Sequence, residues 1–214
     1  MELEKAYSRI EEIHGLLTKG EVFRGYRAMP VASTGLLAIC GTLIADRFLA
    51  AMSSTSFVLY WGAIALLGFS LCTADLLLEN LHRGSLVLRR QTLVVLGQFA
   101  PNLLVGAILG LAFCRLEQAD VRLLPGLWGL CFGMGILASR PFLPRAIGWV
   151  GLWYLGSGAT TLLFLSTASL SNRSMALIFG VGQVLAAAVI VRDASRQRAE
   201  FPADSSEGGP DHGV

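Results

Sequence analysis

The sequence predicts an all-α membrane protein of six transmembrane helices, with both termini cytoplasmic and an N-terminal amphipathic helix ahead of the first span. Three observations predict it. Of the 214 residues, 54% are hydrophobic and only 15% charged, a balance that soluble domains rarely reach. Six apolar runs each approach the length of about 20 residues that a helix rising 1.5 Å per residue needs to cross roughly 30 Å of hydrocarbon. Thirteen of the 17 Lys and Arg residues fall in the N-terminal segment, the second and fourth loops and the tail, against four in the other three loops. That bias holds the richer segments in the cytoplasm.

The runs are 31–50, 57–78, 92–113, 123–139, 146–168 and 174–191. They divide the chain into a cytoplasmic segment 1–29, a transmembrane domain 30–192 and a tail 193–214. In the first segment Leu3, Tyr7, Ile10, Ile13 and Leu17 recur every three or four residues, with Glu2, Glu4, Glu11 and Glu12 between them, the pattern of an amphipathic helix. Its acidic first half favours docking under the bundle over adhesion to anionic lipid. Phe23 and Tyr26 then suit the membrane interface and Arg24 and Arg27 its phosphates, while Pro30 suits a first helical turn. No basic stretch feeding a short apolar core opens the chain, so no secretory signal peptide is expected. From about Ala199 the tail is rich in Gly, Pro, Ser and Asp without periodicity, and disorder is expected there.

Composition excludes more than it suggests. A net charge of +2 gives no reason to expect nucleic acid, which leaves the lipid bilayer and a membrane-protein partner or second copy. Cys40, Cys72, Cys114 and Cys131 lie in or at the edges of spans with no C-x-x-C pair, and read as packing residues. Glu79 and His82 have the E-x-x-H spacing of half a di-iron site, but the second half is missing, so no metal and no cofactor is expected. Hydrolase and phosphate-loop motifs are absent, and "GSGATT" at 156–161 lacks the lysine. The three histidines, His14, His82 and His212, all lie outside the spans, so no catalytic residue is assigned.

Span three holds the polar residues that need explaining, in "GQFAPNLLVG" at 97–106. Pro101 has no N–H to donate and its ring crowds the carbonyl of Gly97, which predicts a kink. Gln98 and Asn102, four residues apart, share one helical face. An unpaired amide in hydrocarbon costs several kcal/mol, so this patch should face other helices. Two readings follow: interhelical hydrogen bonds, worth about 0.6 kcal/mol each on average, or a solute site built from a broken helix. The second draws on echoes between the halves of the chain, "GLLAIC" with "GLWGLC", "LYWGA" with "LWYLG" and "GQFA" with "GQVL". Inverted three-helix halves would bring Gln98 and Gln183 toward the midplane.

Other candidates are fewer. Gly106 with Gly110 and Gly129 with Gly133 provide small residues at four-residue spacing, which permit close helix approach. Asp75 is the acid well inside a span, near its cytoplasmic edge, and either pairs with Arg83, Arg89 or Arg90 or serves a function. In "SRPFLPR", 139–145, two prolines stiffen a loop flanked by Arg140 and Arg145, either a plain basic connection or a cytoplasmic docking point for a partner or anionic lipid.

The arrangement from "EVFRGYR" through "LPGLWGLCFGMGILASRPFLPR" and "WVGLWYLGSGA" to "GVGQ" resembles an uncharacterised family of small six-span bacterial integral membrane proteins, over most of residues 1–191. The resemblance implies a multi-pass protein of the bacterial cytoplasmic membrane. It brings no activity, and so transfers no site residue. The expected function is a non-enzymatic accessory or partner-binding subunit; the alternative is a small-solute or ion transporter or channel made of two inverted three-helix halves.

Overall fold

The computed structural model describes residues 28–48, 52–83, 86–116, 120–164 and 171–200. All regular structure among them is helical: α1 (Ala28–Phe48), α2 (Ser54–Arg83), α3 (Leu86–Arg115), α4 (Leu124–Ser139), α5 (Ile147–Phe164), α6 (Ser171–Met175) and α7 (Gly182–Glu200). A π-helical turn, Ala176–Val181, joins α6 to α7 without a break, so these three pieces form the sixth span. Short 3₁₀ turns precede and follow α4, at Val121–Leu123 and Arg140–Phe142. Six helices are long and apolar enough to cross a membrane, which defines a multi-pass architecture. The amphipathic segment and the chain termini lie outside the described residues, apart from the entry to α1 at Ala28.

The helices are longer than the apolar runs. Span two continues to Arg83 and span three begins at Leu86, because hydropathy marks the stretch that can sit in hydrocarbon while the backbone ladder runs on past it. For the same reason α7 runs on as helix through 193–200, into the segment expected to be tail.

Successive spans run antiparallel, and each packs on the next, while the sixth returns to α1. The closest approach is between α4 and α5. Gly126 and Gly129 of α4 face Gly158 of α5, and a methyl group on Gly158 would stand only 2.8 Å from the Gly126 carbonyl oxygen. The return of span six to α1 uses the same device, with Gly35 set against the backbone of Gly180. Between apolar helices in lipid there is no hydrophobic drive to associate, so contact depends on how near two backbones come.

Two apolar cores are stacked along the bundle. Val31, Ile136, Ile147, Val150, Ala186 and Ala187 form one toward the end where α1 begins, reaching Tyr154 and Ile178 at mid-height. Phe57, Trp61, Leu124 and Met175 form the other at the opposite end. Spans two and three join mainly the second. Only 11% of the Leu96–Arg115 window is buried, against 44% of Val121–Ser139, so α3 coats the bundle and α4 is its centre. Leu66, Leu67, Leu104 and Leu111 accordingly point outward, which costs nothing where the solvent is lipid.

Gly158→Ala is expected to lower stability by about 1–3 kcal/mol through overpacking, whereas Gly156→Ala, with nothing within 4 Å of the new methyl, should be tolerated. Thermal unfolding midpoints in detergent will compare them. Equal midpoints for the two variants would remove the glycine seam as the tightest contact.

Candidate functional site

The residues singled out in span three do not converge on those of span six. Pro101 lies inside α3, on its exposed surface. Gln98 is exposed too, and a methyl on the adjacent Gly97 would meet nothing within 4 Å. Asn102, one helical turn further on, is half-buried at the α3–α4 contact, beside the bare backbone of Gly135. Gln183 is half-buried at a different contact, with its Cβ 3.0 Å from where a Cβ on Gly35 of α1 would stand. The two halves of the proposed polar centre therefore sit in separate helix pairs.

Aromatic rings occupy the path between those pairs. Phe99, which covers Gly135, meets Phe132 of α4 edge-on at 4.9 Å between centroids. Phe132 contacts Tyr154 of α5 at 4.8 Å and Phe179 of the π-turn at 5.6 Å, and Tyr154 reaches Phe179 at 5.7 Å. These separations are those of attractive ring pairs. Four rings from spans three, four, five and six thus make one continuous stack.

Tyr154 is the residue that periodicity alone would have placed in the core and composition would not have flagged. It shares the buried face of α5 with Ile147, Val150, Gly151, Gly158 and Thr161. Its ring end lies against Gly182, where a Cβ would come within 2.7 Å of the hydroxyl oxygen, so glycine is required there for Tyr154 to fit. The hydroxyl is fully buried and has no hydrogen-bond partner among the described residues. Gly182 follows the π-turn, and its N–H is shared between the carbonyls of Ile178 and Phe179. At the π-turn, Ile178 and Gly182 face α4 and α5 while Gly180 faces α1, so span six is packed on two sides there. Such turns recur at functional positions in helices.

The opposite end of span six is pinned. Thr42 of α1 donates to the Asn172 carbonyl at 3.1 Å, Trp61 Nε1 of α2 donates to Asn172 Oδ1 at 3.3 Å, and Arg173 pairs with Asp46 at 3.4 Å. Tyr60 donates to the Gly41 carbonyl at 2.7 Å, tying α1 to α2 at the same level. Hydropathy carried no signal for this clamp, since Asn172 precedes the apolar run.

The small-residue pairs serve packing within the chain. Gly106 and Gly110 form the bed of Trp128, whose Nε1 donates to the Gly106 carbonyl at 2.8 Å. Gly129 and Gly133 lie on α5. Asp75 is half-buried on α2, while the side chains of Glu79, His82, Arg83, Arg89 and Arg90 lie outside the described residues. Among the described residues all four cysteines are unbridged, and no three His, Cys, Asp or Glu converge. Arg140 and Arg145 are both exposed at the turn between α4 and α5.

This geometry defines a multi-pass helical membrane protein with an aromatic interior and polar residues distributed over its helix contacts. No protein family, no curated protein and no solved structure matches the chain.

An unpartnered buried hydroxyl costs about 1–3 kcal/mol, so Tyr154→Phe is expected to raise the unfolding midpoint or leave it unchanged. Thermal scans of the two proteins in the same detergent decide this. A clear fall would mean that the hydroxyl has an acceptor supplied from outside the chain.

Proposed function

We propose that the chain is a non-enzymatic accessory protein of the bacterial cytoplasmic membrane, with both termini in the cytoplasm, that binds a partner membrane protein along span three. The observation that carries this reading is Gln98, an amide within the span that lies exposed on α3. An amide facing hydrocarbon costs several kcal/mol unless something bonds to it. A helix from another polypeptide is the partner that would do so, with the sparsely buried α3 as its contact surface. Membership of the small six-span bacterial family that the "LPGLW" to "LPR" stretch resembles is part of the same proposal.

A second reading, transport through inverted three-helix halves, is favoured by one observation. The pairing of span one with span six, and of span four with span three, is the exchange that a two-fold axis relating the halves requires. The ring stack counts against it, because a solute path joining Gln98 to Gln183 would have to part four aromatic side chains.

A single cysteine placed by Gln98→Cys in a variant lacking the four native cysteines should cross-link in native membranes to a polypeptide of different mass. Gln98→Leu should reduce co-purification of that partner in mild detergent without changing the midpoint of the purified protein. Cross-links only to a second copy would point to a homo-oligomer, and a monomer with no adduct would defeat the accessory reading. Solute uptake by proteoliposomes that Gln98→Leu and Gln183→Leu both abolish would establish the transport reading in its place.

A further inference from the structure

The turn between α4 and α5 carries a feature that neither functional reading uses. The helix α4 ends at Ser139, the 3₁₀ turn Arg140–Phe142 follows, and Pro141 and the buried Pro144 hold the connection stiff. Backbone bonds from Leu143 N–H to the Arg140 carbonyl at 3.2 Å and from Ile147 N–H to the Pro144 carbonyl at 2.8 Å close both sides of the turn. Arg140 lies back across the start of α5. Its Nε is 3.1 Å and its Cζ 3.4 Å from the point where a Cβ on Gly148 would stand, so the absence of a side chain at 148 lets the guanidinium rest there. Arg145 belongs to the same turn of helix, with its carbonyl accepting from Gly148 N–H at 3.3 Å. Neither arginine has an acidic partner among the described residues, unlike Arg122 with Asp120 or Arg173 with Asp46.

One further observation concerns what these arginines meet. Trp149, the residue after Gly148, is 75% exposed. An indole projecting from the first turn of a spanning helix is the side chain that settles at headgroup depth, and it places the two guanidinium groups at the level of the lipid phosphates.

We propose that this turn is a binding site for the headgroup phosphate of an anionic phospholipid, held by Arg140 and Arg145. The side chains hold it. The N–H groups of Ile147, Gly148 and Trp149 already bond to the carbonyls of Pro144, Arg145 and Ala146, and the start of α5 contributes only the favourable sign of its dipole. Guanidinium is the cation suited to the task, since its planar fork matches two phosphate oxygens. The lipid, rather than free phosphate or an acidic protein segment, is the occupant because Trp149 sets the depth and α5 offers an apolar wall for the acyl chains, with Leu152 half exposed beside it.

The test uses the full chain in detergent, with the unfolding midpoint read after adding phosphatidylglycerol, phosphatidylcholine or inorganic phosphate. Phosphatidylglycerol should raise the wild-type midpoint, and the other two should not. The double variant Arg140→Gln with Arg145→Gln should lose that rise while matching wild type in phosphatidylcholine. Arg196→Gln, on the exposed end of α7, should keep it. An undiminished rise in the double variant, an equal loss in Arg196→Gln, or an equal rise with inorganic phosphate would each overturn the proposal. Should the double variant fail to fold, native mass spectrometry of wild type after delipidation decides the matter. One retained phosphatidylglycerol, displaced by excess of the same lipid but not by phosphatidylcholine, is the expected result, and none retained would overturn it.

Discussion

The fold depends on how closely α4 and α5 approach. In water, two apolar helices associate because burial removes surface from the solvent; in lipid that gain vanishes, and dispersion between near backbones and the hydrogen bonds between helices must suffice. The glycines of α4 and α5 make such proximity available at the centre of the bundle, where the carbonyls of Gly126 and Gly158 lie across from the facing glycine at less than the reach of a methyl group. Span six and α1 repeat the arrangement at Gly35 and Gly180. The helices that lack such a seam, α2 and α3, are the least buried. Glycine placement therefore sorts the spans into a tight set of four and an outer pair.

That sorting decides where polar groups are tolerated. Hydroxyls in the spans mostly bond to their own helices, as Thr160 does to the Gly156 carbonyl and Thr161 to that of Ser157, so they cost little wherever they point. Amides have no such local outlet. Asn172 meets Trp61 and Thr42 at the end of the bundle, while Gln98 stands exposed on the outer pair. Tyr154 is the reverse case, enclosed on every side by rings and glycine so that its hydroxyl lies within the tight set yet out of reach of an acceptor.

The number and order of the spans were legible because each needs a long apolar run, and no other feature competes with that requirement. The small-residue pairs were legible as close contacts, but not their partners: Gly106 and Gly110 accommodate the indole of Trp128, and nothing local to either segment relates them. The π-turn left no trace in hydropathy, since Ala176–Val181 is as apolar as any helical turn, and its consequence is a shift of facing that only the packing of Phe179 and Gly180 reveals. Gln98, Asn102 and Gln183 were conspicuous as polar letters in apolar text. Their positions followed from which helices pair, and that depends on glycines elsewhere in the chain.

The aromatic stack bears on how the molecule can move. A transporter of the alternating kind needs two packings of its halves with similar free energy, and a site between them that admits water. Here the contacts that would have to exchange are a ring stack shared by four spans and a backbone seam with no slack, both of which favour one arrangement over any rotated one. The outer pair is the less buried part of the bundle, although α3 packs on α4 from Phe99 to Gly110. Since lipid and protein surfaces compete for a lipid-facing helix on nearly equal terms, specificity there needs few polar residues.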